Sequence, residues 1–230
     1  AENCIFGGRC HECGRCEKFG LDARKEQMTL LPESFLTSLP KSSQEGYGLA
    51  FDIGTTTVVG LLWDLSCNKI VDVLSRTNPQ SAYGQDVISR INFCMEDARG
   101  LKILNDLIIK CLNDIIHQLC GKVCRKSLTA VTAVGNTTMC HLLLSQNPVS
   151  LARAPFQPSY SGSVKKQAAE IGLDMPDGAL LWVLPGIAGH VGSDITAGII
   201  ANNLLNEKGT TLYIDIGTNG EIVLACDGSL

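Results

Sequence analysis

Two short runs in this chain nearly repeat each other, Asp52-Ile53-Gly54-Thr55-Thr56-Thr57 and Asp215-Ile216-Gly217-Thr218-Asn219-Gly220. Each is entered from a short apolar stretch (Gly48–Phe51, Thr211–Ile214) and left through another (Val58–Leu62, Ile222–Ala225). Strand, acidic residue, glycine-hydroxyl turn, strand is the signature of a β-hairpin, here used twice. The glycines let backbone N–H groups come close to an anion, and the hydroxyls add donors. A carboxylate at each strand end, Asp52 and Asp215, suits Mg²⁺ or its water shell. A single copy of such a string also reads as ordinary turn punctuation; two copies between β-prone runs favour a phosphate clamp.

The rest of the composition narrows the class. A net charge of −4 and a pI near 5.6 give no reason to expect nucleic acid or an anionic membrane as partner. The apolar runs fall well short of the roughly 18 residues that a membrane span needs. No basic region followed by an apolar one stands at the N-terminus, so no signal peptide is expected. Of the 11 cysteines, Cys67, Cys94, Cys111, Cys120, Cys124 and Cys140 are scattered through predicted helices and strands. Scattered free thiols suit a reducing, cytoplasmic setting.

Cys4, Cys10, Cys13 and Cys16 are different, because they form a C-x5-C-x2-C-x2-C run with interspersed glycines. Such spacing gathers thiolates around one centre. A 4Fe-4S cluster is favoured, zinc with His11 as a further ligand is the alternative, and an empty or incomplete motif is the third reading. The plant-type 2Fe-2S spacing fits less well. Pro40 to Gly46 reads as a linker, so residues 1–45 form a Cys-rich segment and a folded unit begins at 46.

From there the pattern is α/β. Gly48–Gly54 and Val58–Asp64 make the first hairpin and Lys69–Thr77 a third strand. Asp86 lies near a helix start, with Arg90 one turn on and able to pair with it. Leu101, Leu104, Ile108, Cys111, Leu112, Ile115 and Leu119 recur at helical spacing within Asp97–Cys120, leaving His117 off the stripe in solvent. Leu128–Val134 reads as a buried strand opening into Gly135-Asn136-Thr137, either a third anion-facing turn or an ordinary N-cap. Cys140 and His141 are neighbours on the following helix and cannot face each other as a catalytic pair. Ser145–Ala179 is irregular, with a short helix expected around Lys165–Ile171. Leu180–Leu184 is a strand, and Gly192-Ser193-Asp194 opens a helix over Ile195–Leu205. Asp194 in its first turn suits either the helix dipole or a place facing a metal or an attacking water.

Taken together, GLAFDIGTTTVVG (48–60), NPQSAYGQDVISRI (78–91), VGNTTMCHLLL (134–144), PGIAGHVGSDITAG (185–198) and LYIDIGTNGEIV (212–223) resemble the reductive activators of corrinoid proteins. These belong to the superfamily of actin, sugar kinases and heat-shock ATPases. The resemblance implies an α/β, RNase-H-like (actin-like ATPase) subdomain, a mixed sheet flanked by helices, over 46–209. It also implies that 210–230 is the first hairpin of a second, truncated subdomain. It further implies ATP and Mg²⁺ held between Gly54, Thr55, Thr56, Thr57 on one side and Gly217, Thr218, Asn219, Gly220 on the other. Gly135, Asn136, Thr137 and Gly192 would lie nearby, with Asp52, Asp194 and Asp215 as catalytic carboxylates. An iron–sulfur centre would pass an electron from an upstream donor to a corrinoid protein, taking Co(II) to Co(I). An uphill gap on the order of 0.2 V is worth roughly 5 kcal/mol, which is where ATP would enter.

Two departures qualify the resemblance. The cysteine segment is too short for a full ferredoxin domain. The second turn falls close to Leu230, so a fragment of a longer protein, or a cleft completed by a partner such as a second copy, is expected. A related electron-injecting ATPase, such as an activator of 2-hydroxyacyl-CoA dehydratases, and a small-molecule kinase or nucleotide-binding module with structural zinc are the alternatives.

Overall fold

A computed structural model of the chain describes residues 46–230 except 122, 124–126, 161 and 218. Among these, β1 (Tyr47–Ile53), β2 (Thr57–Asp64) and β3 (Lys69–Thr77) form an antiparallel meander. Helices α1 (Val87–Glu96) and α2 (Gly100–Cys120) follow. Next come β4 (Leu128–Gly135), α3 (Thr137–Leu143), β5 (Val164–Gln167) and β6 (Leu180–Val183). The chain continues through α4 (Ser193–Ala201) into the hairpin of β7 (Thr210–Ile216) and β8 (Gly220–Cys226). The described residues thus contain a 6-stranded sheet of order β3-β2-β1-β4-β6-β5 and a 2-stranded sheet, β7-β8.

The sheet is mixed for a reason visible in its connections. Short turns join β1, β2 and β3, which forces antiparallel neighbours. The long stretch carrying α1 and α2 instead returns β4 parallel to β1, with Asp52 opposite Val134 and Ile53 opposite Gly135. β6 lies parallel to β4 in turn. The C-terminal ends of β1, β4 and β6 therefore sit side by side, which is where open α/β sheets bind ligands.

The core forms where the α2 stripe meets the sheet. Leu104, Ile108, Leu112, Ile115 and Leu119 are buried against Leu49, Phe51, Ile53, Val58 and Leu62. Each such side chain contributes about 1.5–3 kcal/mol on leaving water. A smaller cluster joins α4 to the second hairpin, with Ile195, Ile199, Leu204 and Ala225 buried and Tyr213, Val223 and Leu230 packed on them. The hairpin thus rests one face on α4, while Leu212, Ile214, Ile222 and Leu224 face outward.

Several local expectations change. Residues 165–171 do not make one helix: Val164–Gln167 is an edge strand antiparallel to β6, and only Ala168–Ile171 turns, as a 3₁₀ segment. Alternating Val164, Lys165, Lys166 and Gln167 across the pleat puts the Lys165 ammonium over the Trp182 ring, which a helix would forgo. α4 stops at Ala201, and Asn203 in the left-handed region precedes a 3₁₀ turn at Leu204–Asn206. Asp86 caps α1 through Ser89 in a capping box, and no ion pair joins it to Arg90, which is fully buried. His117 is exposed, as its position off the stripe requires, and pairs with Asp174. Among the described residues no helix is long and apolar enough to cross a membrane.

Candidate phosphate and cation site

The turn after β1 is held from behind. Gly54 N–H donates to Thr57 O at 3.0 Å, and Asn78 N–H donates to Thr56 O at 2.8 Å. Asn78 Nδ2 donates to Gly54 O at 2.8 Å, and Arg90 Nη2 to Thr55 O at 2.5 Å. All four carbonyls from Gly54 to Thr57 are thereby engaged by protein donors. The N–H groups of Thr55 and Thr56 have no acceptor among the described residues. A turn with its acceptors tied down and its donors free can receive an anion.

The neighbouring turns press against it. Asn136 caps α3, its Oδ1 accepting from Met139 N–H at 3.0 Å, and its Nδ2 donates to Thr55 Oγ1 at 3.0 Å. The ordinary N-cap interpretation of Gly135–Thr137 therefore describes Asn136, with its amide left to brace the first turn. Ser193 Oγ donates to Gly135 O at 3.1 Å, anchoring the start of α4 to the end of β4. Gly192 is needed there, because a Cβ would stand 2.4 Å from Asn136 Cα and 2.5 Å from Gly135 O.

These elements enclose a cleft of about 480 Å³ lined by Asp52, Gly54, Thr55, Thr56, Thr57, Asn136, Asp194, Asp215, Gly217, Asn219 and Glu221. Asp52 and Asp215 thus face one space from two different sheets. Gly135, Thr137 and Gly192 are not among its lining residues; the Thr137 hydroxyl donates to Ala188 O at 2.9 Å. Gly220 begins β8 and is not among the lining residues. Thr218 and the cysteines Cys4, Cys10, Cys13 and Cys16 lie outside the described residues.

The cleft is strongly acidic. Burial, then the charges of Asp194 and Asp215, push Asp52 up from 3.8 to about 6. Asp194 is raised by burial and by Asp215, and Glu221 by burial and by Asp194 and Asp215. Tyr213 donates its hydroxyl proton to Asp215 Oδ2 at 3.1 Å. Carboxylates that repel one another across a cleft are relieved by a cation. Yet no group of three or more His, Cys, Asp or Glu among the described residues could hold a metal by itself. Asp52 and Asp215 offer the one or two carboxylates that Mg²⁺ takes beside water and phosphate oxygens.

Sequence reasoning missed Glu221, Asn78, Gln80 and Arg90. Glu221 was legible in principle: it stands opposite Asp215 in the hairpin register, and cross-strand partners share a face. Arg90 carried a fainter signal, standing with Val87, Ile91 and Cys94 at the i, i+3, i+4, i+7 spacing of the inward face of α1. Cys140 and His141 do not form a pair. Cys140 Sγ lies 3.3 Å from Ser193 Oγ. The His141 ring is held between Thr137 O at 2.7 Å and Ser159 N–H at 3.1 Å.

A mixed sheet in this order, with turns and carboxylates gathered at the ends of its parallel strands, defines the chain as an α/β unit of the RNase-H-like, actin-like ATPase type. More specifically, residues 47–207 match the family described as the RACo middle region, and the chain belongs to that family. It is 37% identical over 194 residues to the corrinoid activation enzyme RamQ of Eubacterium limosum, a match covering 82% of this chain and 32% of that protein. A solved structure described as a reductive activator for a corrinoid, iron–sulfur protein superposes with a TM-score of 0.77 at 39% identity, over 81% of this chain and 30% of that one. The chain therefore spans about a third of the length of these relatives.

Proposed function

We propose that this chain is the ATP- and Mg²⁺-binding part of a reductive activator that returns a corrinoid protein from Co(II) to Co(I), the electron arriving through an iron–sulfur centre from an upstream donor. The observation that carries the proposal is the turn 54–57, whose four carbonyls are tied back while the N–H groups of Thr55 and Thr56 stay free beside four carboxylates. Membership of the corrinoid-activator family supports the choice of partner over a 2-hydroxyacyl-CoA dehydratase.

In this proposal Gly54–Thr57 receives phosphate oxygens from one wall, and Gly217, Thr218, Asn219 and Gly220 receive them from the other. Asp52 and Asp215 would hold Mg²⁺, and Asp194 would orient the attacking water. Bound Mg²⁺ would neutralise phosphate charge and relieve the repulsion among the carboxylates. Cys4, Cys10, Cys13 and Cys16 are the proposed ligands of a 4Fe-4S cluster, with zinc as the alternative.

The test uses the longest native form of the protein with reductant, ATP and a corrinoid protein, following the Co(II) to Co(I) spectrum. Reduction should require ATP and be lost in Asp52→Ala and Asp215→Ala. Reduction indifferent to ATP and to both substitutions refutes the proposal. Iron and sulfide analysis of anaerobically purified protein tests the cluster separately; a colourless, zinc-loaded protein eliminates the electron path.

A further inference from the structure

Arg90 is the largest fully buried side chain among the described residues, with no exposed surface. Its partners are all neutral. Nε donates to Gly84 O at 2.9 Å, Nη1 to Gln80 Oε1 at 3.1 Å and to Met139 Sδ at 3.0 Å, and Nη2 to Thr55 O at 2.5 Å. No carboxylate bonds it; Asp86 acts only through its charge. Burying an arginine without an anion is costly, and burial lowers Arg90 to about 10, so it remains protonated at neutral pH. A core that needed only packing would be better served by leucine or methionine at this position.

The surroundings indicate what the cost supports. Gln80 is itself buried and fixed, its N–H donating to Asn78 Oδ1 at 3.0 Å and its Nε2 to Leu104 O at 2.9 Å. Asn78, also buried, reaches Gly54 O. Arg90, Gln80 and Asn78 therefore form one bonded unit. It fastens the carbonyls of Gly54 and Thr55 to α1 and α2, and Met139 ties it to α3. The guanidinium fork reaches separate acceptors in fixed directions, which an ammonium cannot reproduce.

We infer that Arg90 is the positioning residue of the phosphate turn. From behind, it turns the Thr55 carbonyl away from the cleft and so aims the free N–H groups of Thr55 and Thr56 at an anion, while its buried charge stands beneath the place where that anion would sit. The inference rests on the proposed phosphate site and adds the group that shapes it. An anion received on the far side of the turn would give a charge partner to a buried cation whose bonded partners are all neutral.

The test is amide NMR on the full chain titrated with Mg²⁺-tripolyphosphate and Mg²⁺-ATP, for the native protein, Arg90→Lys and Asn78→Ser. The native Thr55 and Thr56 amides should shift on titration. In Arg90→Lys the affinity for both probes should fall by about tenfold or more, equivalent to about 1.4 kcal/mol. The amides of Leu49 and Leu112 should stay at their native positions, which a general loss of fold would move. Should Arg90→Lys fail to fold, Asn78→Ser releases the adjacent Gly54 carbonyl and should weaken binding in the same selective way. A folded Arg90→Lys that binds within twofold of the native protein, or a folded Asn78→Ser that does so where Arg90→Lys does not fold, overturns the positioning role. A native protein whose Thr55 and Thr56 amides ignore both probes refutes the phosphate site itself, and this inference with it.

Discussion

Replacing Asp52 by Asn should make this protein more stable while removing a group the proposed activity needs. Desolvation on burial in the cleft, and after it the charges of Asp194 and Asp215, raises the Asp52 carboxyl from 3.8 to about 6. Taken in full, that difference corresponds to about 3 kcal/mol. The side chain stays partly exposed to solvent within the cleft, so screening leaves roughly 1 kcal/mol. The sign follows from proton binding. Between about pH 4 and pH 6 the folded chain holds the Asp52 proton and the unfolded chain has released it, so native stability falls as pH rises through this window. Asn has the shape and no titration. Its advantage should be small at pH 4, about half developed near pH 5, and complete, at about 1 kcal/mol, by pH 7.5. Urea unfolding followed through Trp63 and Trp182 measures it directly. An Asp52→Asn protein less stable than the native one at pH 7.5, or a gain that does not change with pH, would refute the account of an electrostatically strained cleft.

Three further substitutions probe how the site is assembled. Gly192→Ala forces a Cβ to 2.4 Å from Asn136 Cα; backbone cannot swing aside, so a loss of about 3 kcal/mol is expected in denaturant unfolding. Gly198→Ala meets the Tyr213 hydroxyl at 2.2 Å, and a ring can move, so the cost should be about 1 kcal/mol. That movement breaks the Tyr213–Asp215 hydrogen bond, and faster hydrogen exchange at the β7 amides should report it. Leu112→Ala empties a fully buried position on α2 and should cost about 3 kcal/mol with the cleft pH dependence unchanged.

Much of the architecture was legible because local patterns and tertiary demands agree. The α2 stripe from Leu101 to Leu119 has to face a core, and the two Asp-Ile-Gly turns have to join strands. Segment 165–171 failed because its lysines and alanines have no decisive period; pairing with β6 chose a strand for the first half. Arg90 failed for a different reason. A charge four residues after Asp86 on a helix suggests a surface pair, and only the packing of α1 against the turn after β1 and against α3 sends it inward.

Residue order by itself determined that Asp52 and Asp215 end strands, that glycine-hydroxyl turns follow them, and that α2 buries one face. These are short-range consequences of backbone sterics and hydrophobic periodicity. Only the tertiary structure decided that the two turns line one cleft, that Glu221 joins them, and that Arg90 and Asn78, linked through Gln80, bond the carbonyls of the first turn from behind. Those facts depend on strand order, hairpin register and burial. A cross-strand partner, a cation hidden behind a turn and four carboxylates repelling one another become visible only when distant parts of the chain share the same low-dielectric space.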